Sequence, residues 1–108
     1  PHILPMFRGI LSTIYVEKKE TISTKKILNF LIKFYKNHKF IRIYKKNTLI
    51  GTKNVINTNY CDISICETND SNRLVILSAI DNLIKGGAGQ AIQNLNIKFG
   101  FKIDEGLI

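Results

Sequence analysis

Apolar and polar positions follow two different periods along this chain, and the switches between them divide it into six elements. Ile10–Val16 (ILSTIYV) is dense in β-branched and aromatic residues and predicts a strand. Beyond the charged turn Glu17-Lys18-Lys19-Glu20, Thr21 or Ser23 is placed to cap a helix over Thr24–Asn37. Lys25, Lys26, Asn29, Lys33, Lys36 and Asn37 fall on one side of it, and Ile27, Leu28, Phe30, Leu31, Phe34 and Tyr35 fill the other. Phe40–Tyr44 predicts a short strand, and Lys45–Asn59 reads as a loop broken by Gly51. Tyr60–Glu67 alternates Cys61, Ile63 and Ile65 against Asp62, Ser64 and Cys66, the pattern of a half-buried strand. Thr68–Asn72 is a turn, and Arg73–Ile80 returns as a second strand to close a hairpin. A last helix runs over Ala88–Phe99 and stops at Gly100. The first nine residues, PHILPMFRG, form an irregular lead-in with two prolines. The order β-α-β-β-β-α predicts an α+β fold, a mixed or antiparallel sheet with helices packed on it.

Chemistry concentrates between Ser78 and Asn94, where the apolar strand passes through Asp81-Asn82 into Lys85-Gly86-Gly87-Ala88-Gly89. So little Cβ bulk lets a backbone or a flat ligand come close, and free N–H groups of a first helical turn favour a negative or polar partner. The spacing does not match GxxxxGK[ST], because the nearby lysine precedes the glycines. It does not match GxGxxG either, because Ile92 stands at the third position. Two readings stay open. Asp81, Asn82 and Gln90 make polar contacts to a ligand at this junction, or Asp81 caps the turn and the small residues permit tight helix–sheet packing.

At 108 residues the chain is one domain. It contains no apolar run long enough for a membrane span and no secretory signal. Its opening without an initiator Met reads as part of a longer protein. The formal charge of +8 invites a nucleic-acid partner. Lysine supplies almost all of that charge, however, with only Arg8, Arg42 and Arg73 as arginines, so a solvated surface accounts for it better. Cys61 and Cys66 sit five apart, on opposite faces of a strand, and no metal site is expected from them.

His2, held between Pro1 and Pro5, has the chemistry of a general acid or base, and Arg8 that of a two-donor clamp for a carboxylate or phosphate. As residues of a loop they carry no motif-level specificity by themselves. His38 follows a helix end among lysines and reads as a solvated capping residue.

Taken together, PHILPMFRGILSTIYV, TKNVINTNYCDI and SAIDNLIKGGAGQAIQNLNIKFGF resemble the C-terminal part of the N-acetyl-γ-glutamyl-phosphate reductase family of arginine biosynthesis. The resemblance runs in order over nearly the whole chain and is loosest in its lysine-rich middle. Gly87-Ala88 stands where the family usually has two alanines. It implies the substrate and dimerisation domain of a glyceraldehyde-phosphate-dehydrogenase-like enzyme, spanning residues 1–108, with the terminal helix (about 87–99) returning toward an NADP-binding domain.

The implied chemistry is NADPH-dependent reduction of an acyl phosphate to a semialdehyde through a cysteine thioester, in a cytoplasmic homo-oligomer with no nucleic-acid or membrane partner. By resemblance His2 matches the histidine of a Pro-His-x-x-Pro motif, the acid–base partner of the thiol, and Arg8 in the same motif binds a substrate anion. Asn82 matches the Asp-Asn pair that faces the nicotinamide carboxamide, and Gly86, Gly87 and Gln90 lie beside NADP(H). The family's Pro-Gly-Cys nucleophile and its Rossmann domain have no match here, so the chain alone is expected to be inactive. A small basic nucleic-acid-binding module and another semialdehyde dehydrogenase are the alternatives.

Overall fold

The computed structural model describes residues 4–107. Four strands form one sheet: β1 (Ile10–Glu17), β2 (Ile41–Ile43), β3 (Cys61–Glu67) and β4 (Arg73–Ile80), in the order β1-β4-β3-β2. β4 runs antiparallel to both β1 and β3, whereas β2 runs parallel to β3, so the sheet is mixed. Two helices accompany it, α1 (Thr24–Tyr35) and α2 (Gly89–Phe99). The α+β class and the element order agree with the expectation from sequence.

The register has one consequence for function. Ile10 pairs with Ile80, Ile80 with Cys61, and Cys61 with Ile41. One end of the sheet therefore gathers the lead-in to β1, the exit of β4, the loop before β3 and the tail of α1.

Ser23 caps α1, its hydroxyl accepting the Lys26 N–H at 3.2 Å. The helix stops at Tyr35 rather than Asn37, because the His38 N–H turns back to the Tyr35 carbonyl and tightens the last turn. Its apolar side is wider than the sheet can cover: Phe30 and Phe34 stack on each other yet stay 63% and 59% exposed. β2 is shorter than the expected Phe40–Tyr44, although backbone bonds from Cys61 N to Phe40 O and from Tyr44 N to Ile63 O continue the pairing on both sides.

The alternation in β3 misleads about which side is covered. Asp62 and Ser64 are fully buried, whereas Cys61 and Ile63 are only half-buried. The segment between β2 and β3 covers them. It contains a short 3₁₀ turn (Thr52–Asn54), Thr48 accepts the Ser64 hydroxyl at 2.6 Å, and Val55 joins Ile65, Leu74, Ala79 and Phe40 in the core. Asp62 is met by the Arg42 guanidinium, by two contacts at 2.5 and 3.0 Å, and by the Tyr44 hydroxyl at 3.1 Å. The Arg42 guanidinium also lies over the Tyr60 ring, 4.3 Å from its centre.

The glycine-rich segment differs from a simple helix opening. Ile84–Ala88 forms a π turn ahead of α2, with Gly87 departing from helical geometry at φ −147°, ψ −115°. Gly100 ends α2 in the left-handed conformation at φ +73°.

Candidate functional site

Asp81 organises the gathered end of the sheet. It follows the last residue of β4 and its carboxylate is fully buried. Oδ1 accepts the N–H groups of Leu83 (2.8 Å) and Ile84 (3.1 Å), and Oδ2 accepts that of Asn57 (2.8 Å). The Arg8 guanidinium approaches Oδ2 to 3.5 Å and donates to Asn57 Oδ1 at 3.0 Å. Burial alone would push this carboxyl up. The three backbone donors and the Arg8 charge outweigh it and hold the pKa below the usual aspartate value.

Asn82 makes the neighbouring tie. Its Oδ1 accepts the Gly9 N–H at 2.8 Å, while its Nδ2 has no partner among the described residues. Gly9 is required here: φ is +107°, and a Cβ would fall 2.7 Å from Thr52. The lead-in, the loop before β3 and the glycine turn thus converge on one Asp-Asn pair.

These bonds decide part of what the glycine turn can do. Leu83 and Ile84 give their N–H groups to Asp81, Gly86 N bonds Asp81 O, and Ala88 N bonds Leu83 O. Those four donors are engaged within the turn, and Asp81 is its cap. What remains is access. Gly86, Gly87 and Ala88 are exposed, and a Cβ on Gly87 would meet only Asn82 O, at 3.4 Å. Gly89 is the packing glycine: a Cβ there would fall 2.5 Å from Asn59 Oδ1 and 2.6 Å from Ile84 Cγ2.

Of the residues singled out from sequence, Arg8, Asn82, Gly86 and Gly87 belong to this end of the sheet. Gln90 is tied along α2, its Nε2 donating to Asn94 Oδ1 at 3.0 Å. His2 lies outside the described residues. Three contributors were not anticipated. Asn57, in a left-handed conformation at φ +64°, presents its N–H to Asp81. Asn59 and Lys85 both donate to Gln93 Oε1, at 2.9 and 2.8 Å, leaving Asn59 Oδ1 buried without a partner. The Asn-rich run before β3 hinted at the two asparagines, and Lys85 stood out only as the lysine ahead of the glycines.

Both cysteines are free thiols occupied within the sheet region. Cys61 Sγ lies 3.6 Å from Ser78 Oγ, and Cys66 Sγ lies 3.9 Å from the Thr48 carbonyl. No group of three or more metal-ligating side chains occurs among the described residues.

Known proteins supply the remaining constraint. Residues 1–82 match the family model for the semialdehyde dehydrogenase dimerisation domain. A protein of Halothermothrix orenii called N-acetyl-gamma-glutamyl-phosphate reductase is 50% identical over 99 residues, covering 92% of this chain and 28% of that protein. Proteins of the same name from Clostridium kluyveri and Staphylococcus aureus are 49% and 45% identical over 107 residues, covering 99% of this chain and 31% of each relative. The chain therefore spans about three-tenths of the length of the relatives it matches. With most of its length inside the family model, the chain belongs to the semialdehyde dehydrogenase dimerisation-domain family.

Proposed function

We propose that this chain is the dimerisation part of an NADPH-dependent N-acetyl-γ-glutamyl-phosphate reductase, which converts N-acetyl-glutamyl 5-phosphate to the 5-semialdehyde and phosphate in arginine biosynthesis. The observation that carries the reading is the pairing of Arg8-Gly9 with Asp81-Asn82. It joins the two blocks that most resemble the family at one end of the sheet, beside an accessible glycine turn. Relatives of that name at 45–50% identity over nearly the whole chain support the same reading.

The residues fit a nicotinamide. Four of the turn's backbone donors are engaged internally, its exposed glycine face admits a flat ring, and Asn82 Nδ2 is a donor suited to the oxygen of a carboxamide. When bound, the dinucleotide supplies the hydride. Asn82 holds the carboxamide, and Gly86 and Gly87 leave space for the ring, with Gln90 on the next turn. Arg8, oriented by Asp81 and Asn57, offers its outer guanidinium donors to a substrate anion. His2 exchanges a proton with the reacting thiol. That thiol is neither Cys61 nor Cys66, whose sulfurs are engaged with Ser78 and Thr48.

The enzyme acts on a small molecule as a cytoplasmic homo-oligomer. No helix among the described residues is long and apolar enough to cross a membrane.

The test uses the full-length protein carrying this chain. NADP⁺ reduction with N-acetyl-glutamate semialdehyde and phosphate should proceed and should be lost with aspartate semialdehyde; the reverse preference overturns the substrate. His2→Ala should lower turnover about 10²–10⁴-fold with the fold intact, and Cys61→Ala and Cys66→Ala should retain activity. Unchanged turnover in His2→Ala removes His2 from the site.

A further inference from the structure

A cleft of about 390 Å³ separates the tail of α1 from α2. Its lining is mostly apolar, with Tyr35 and Ile97 as accessible walls over the buried Phe40, and its polar groups include His38, Gln93 and Lys85. Lys85 is the unusual member. Its ammonium donates to Gln93 Oε1 at 2.8 Å and stands 5.6 Å from the centre of the Phe40 ring. No carboxylate among the described residues pairs with it. The other lysine of the lining, Lys39, is already paired with Asp104. Burial holds the Lys85 pKa below the ordinary lysine value, even though nearby Cys61 favours the charged form.

A half-buried ammonium with one neutral acceptor carries a desolvation cost that a bound anion would offset. The walls restrict which anion. Acetate or inorganic phosphate would leave Tyr35 and Ile97 wet, whereas a carboxylate joined to a ring or branched chain would cover them. The volume falls in the range of small-molecule pockets.

We propose that this cleft binds a small monocarboxylate with an aromatic or branched apolar body. Lys85 anchors the carboxylate, and the body lies against Tyr35 and Ile97. The site is distinct from the Asp81–Asn82 junction, yet Lys85 immediately precedes Gly86 in the π turn. A ligand held there occupies a site separate from the dinucleotide's.

The full-length protein is titrated calorimetrically with phenylacetate, phenylacetamide and acetate. Phenylacetate should bind, with the neutral amide and acetate at least about tenfold weaker. Lys85→Met should weaken phenylacetate about tenfold or more, Lys85→Arg should keep it, and Ile97→Trp, which fills the cleft from its apolar wall and keeps the lysine, should abolish it. Saturating NADPH should leave the titration unchanged. Equal binding of acid and amide, undiminished binding by Lys85→Met, displacement by NADPH, or no binding at roughly 20 mM, beyond the affinity expected for a ligand this small, each overturns the proposal. The acid–amide comparison on the unmodified protein decides even where a variant fails to fold.

Discussion

Asn82 Oδ1 accepts the Gly9 backbone N–H at 2.8 Å, across 73 positions of sequence. One residue earlier, Asp81 binds the loop at Asn57 and the turn at Leu83 and Ile84. Two consecutive side chains therefore hold three separate segments against the end of the sheet, and most of the testable consequences follow from them.

Replacing Asp81 by Asn should destabilise the fold by about 2–4 kcal/mol, because buried N–H groups lose a charged acceptor. The pH dependence has a definite sign. A carboxyl whose folded pKa is depressed contributes stability above its unfolded value, near 4, and loses it as pH falls through the folded value. Urea midpoints measured from pH 7 down to pH 3 should fall less steeply in Asp81→Asn than in the unmodified chain.

Gly89→Ala should cost about 1–3 kcal/mol, since its Cβ would collide with Asn59 Oδ1 and Ile84. Gly51→Ala is the control: nothing lies within 4 Å of its Cβ, and stability should change by less than about 1 kcal/mol. Thermal unfolding of the pair checks this, and equal melting points would contradict the packing role of Gly89.

Gly87→Leu tests access instead of packing. A Cβ at Gly87 makes an ordinary contact with Asn82 O, so the fold should persist. If the nicotinamide lies where proposed, the KM for NADPH in the full-length enzyme should rise about tenfold or more, equivalent to ~1.4 kcal/mol of binding. An unchanged KM places the cofactor elsewhere.

Arg42→Met should be more damaging than its half-exposed guanidinium suggests. It leaves Asp62 buried with only the Tyr44 hydroxyl, at a cost of about 3 kcal/mol. Arg42→Lys should recover only part of this, because a lysine cannot make the same fork and ring contact. Chemical denaturation of the two variants gives the comparison.

The strands and α1 were legible because β-branched runs and a 3.6-residue period report local burial directly. What covers each face was not. Asp62 and Ser64 read as the solvent side of β3, since the segment that buries them has no period of its own and enters the core through a single residue, Val55. Phe30 and Phe34 read as core because periodicity gives the width of an apolar stripe and says nothing of the width of its cover. The glycines divide the same way. Gly87 and Gly89 are identical letters, and only the folded position of Asn59 and Ile84 makes one a packing requirement and the other an opening. At the site, Asp81 and Asn82 stood out for their place between strand and glycines, whereas the Asn57 N–H and the Lys85–Gln93 pair depend on contacts no spacing encodes.

The return of the chain at Asn57 also bears on how this domain tolerates change. Because the Tyr44 and Asn47 N–H groups bond the Ile63 and Ile65 carbonyls, the Thr48 carbonyl accepts from Ser64 and the Asn57 N–H is fastened to Asp81, the segment between Thr48 and Asn57 leaves the sheet and rejoins it at fixed points. Residues can be added between those points, near the exposed Leu49 and the open Gly51, without altering the spacing between the N-terminal motif and the glycine turn. A change of length there is insulated from the two outer blocks, which keep one geometry.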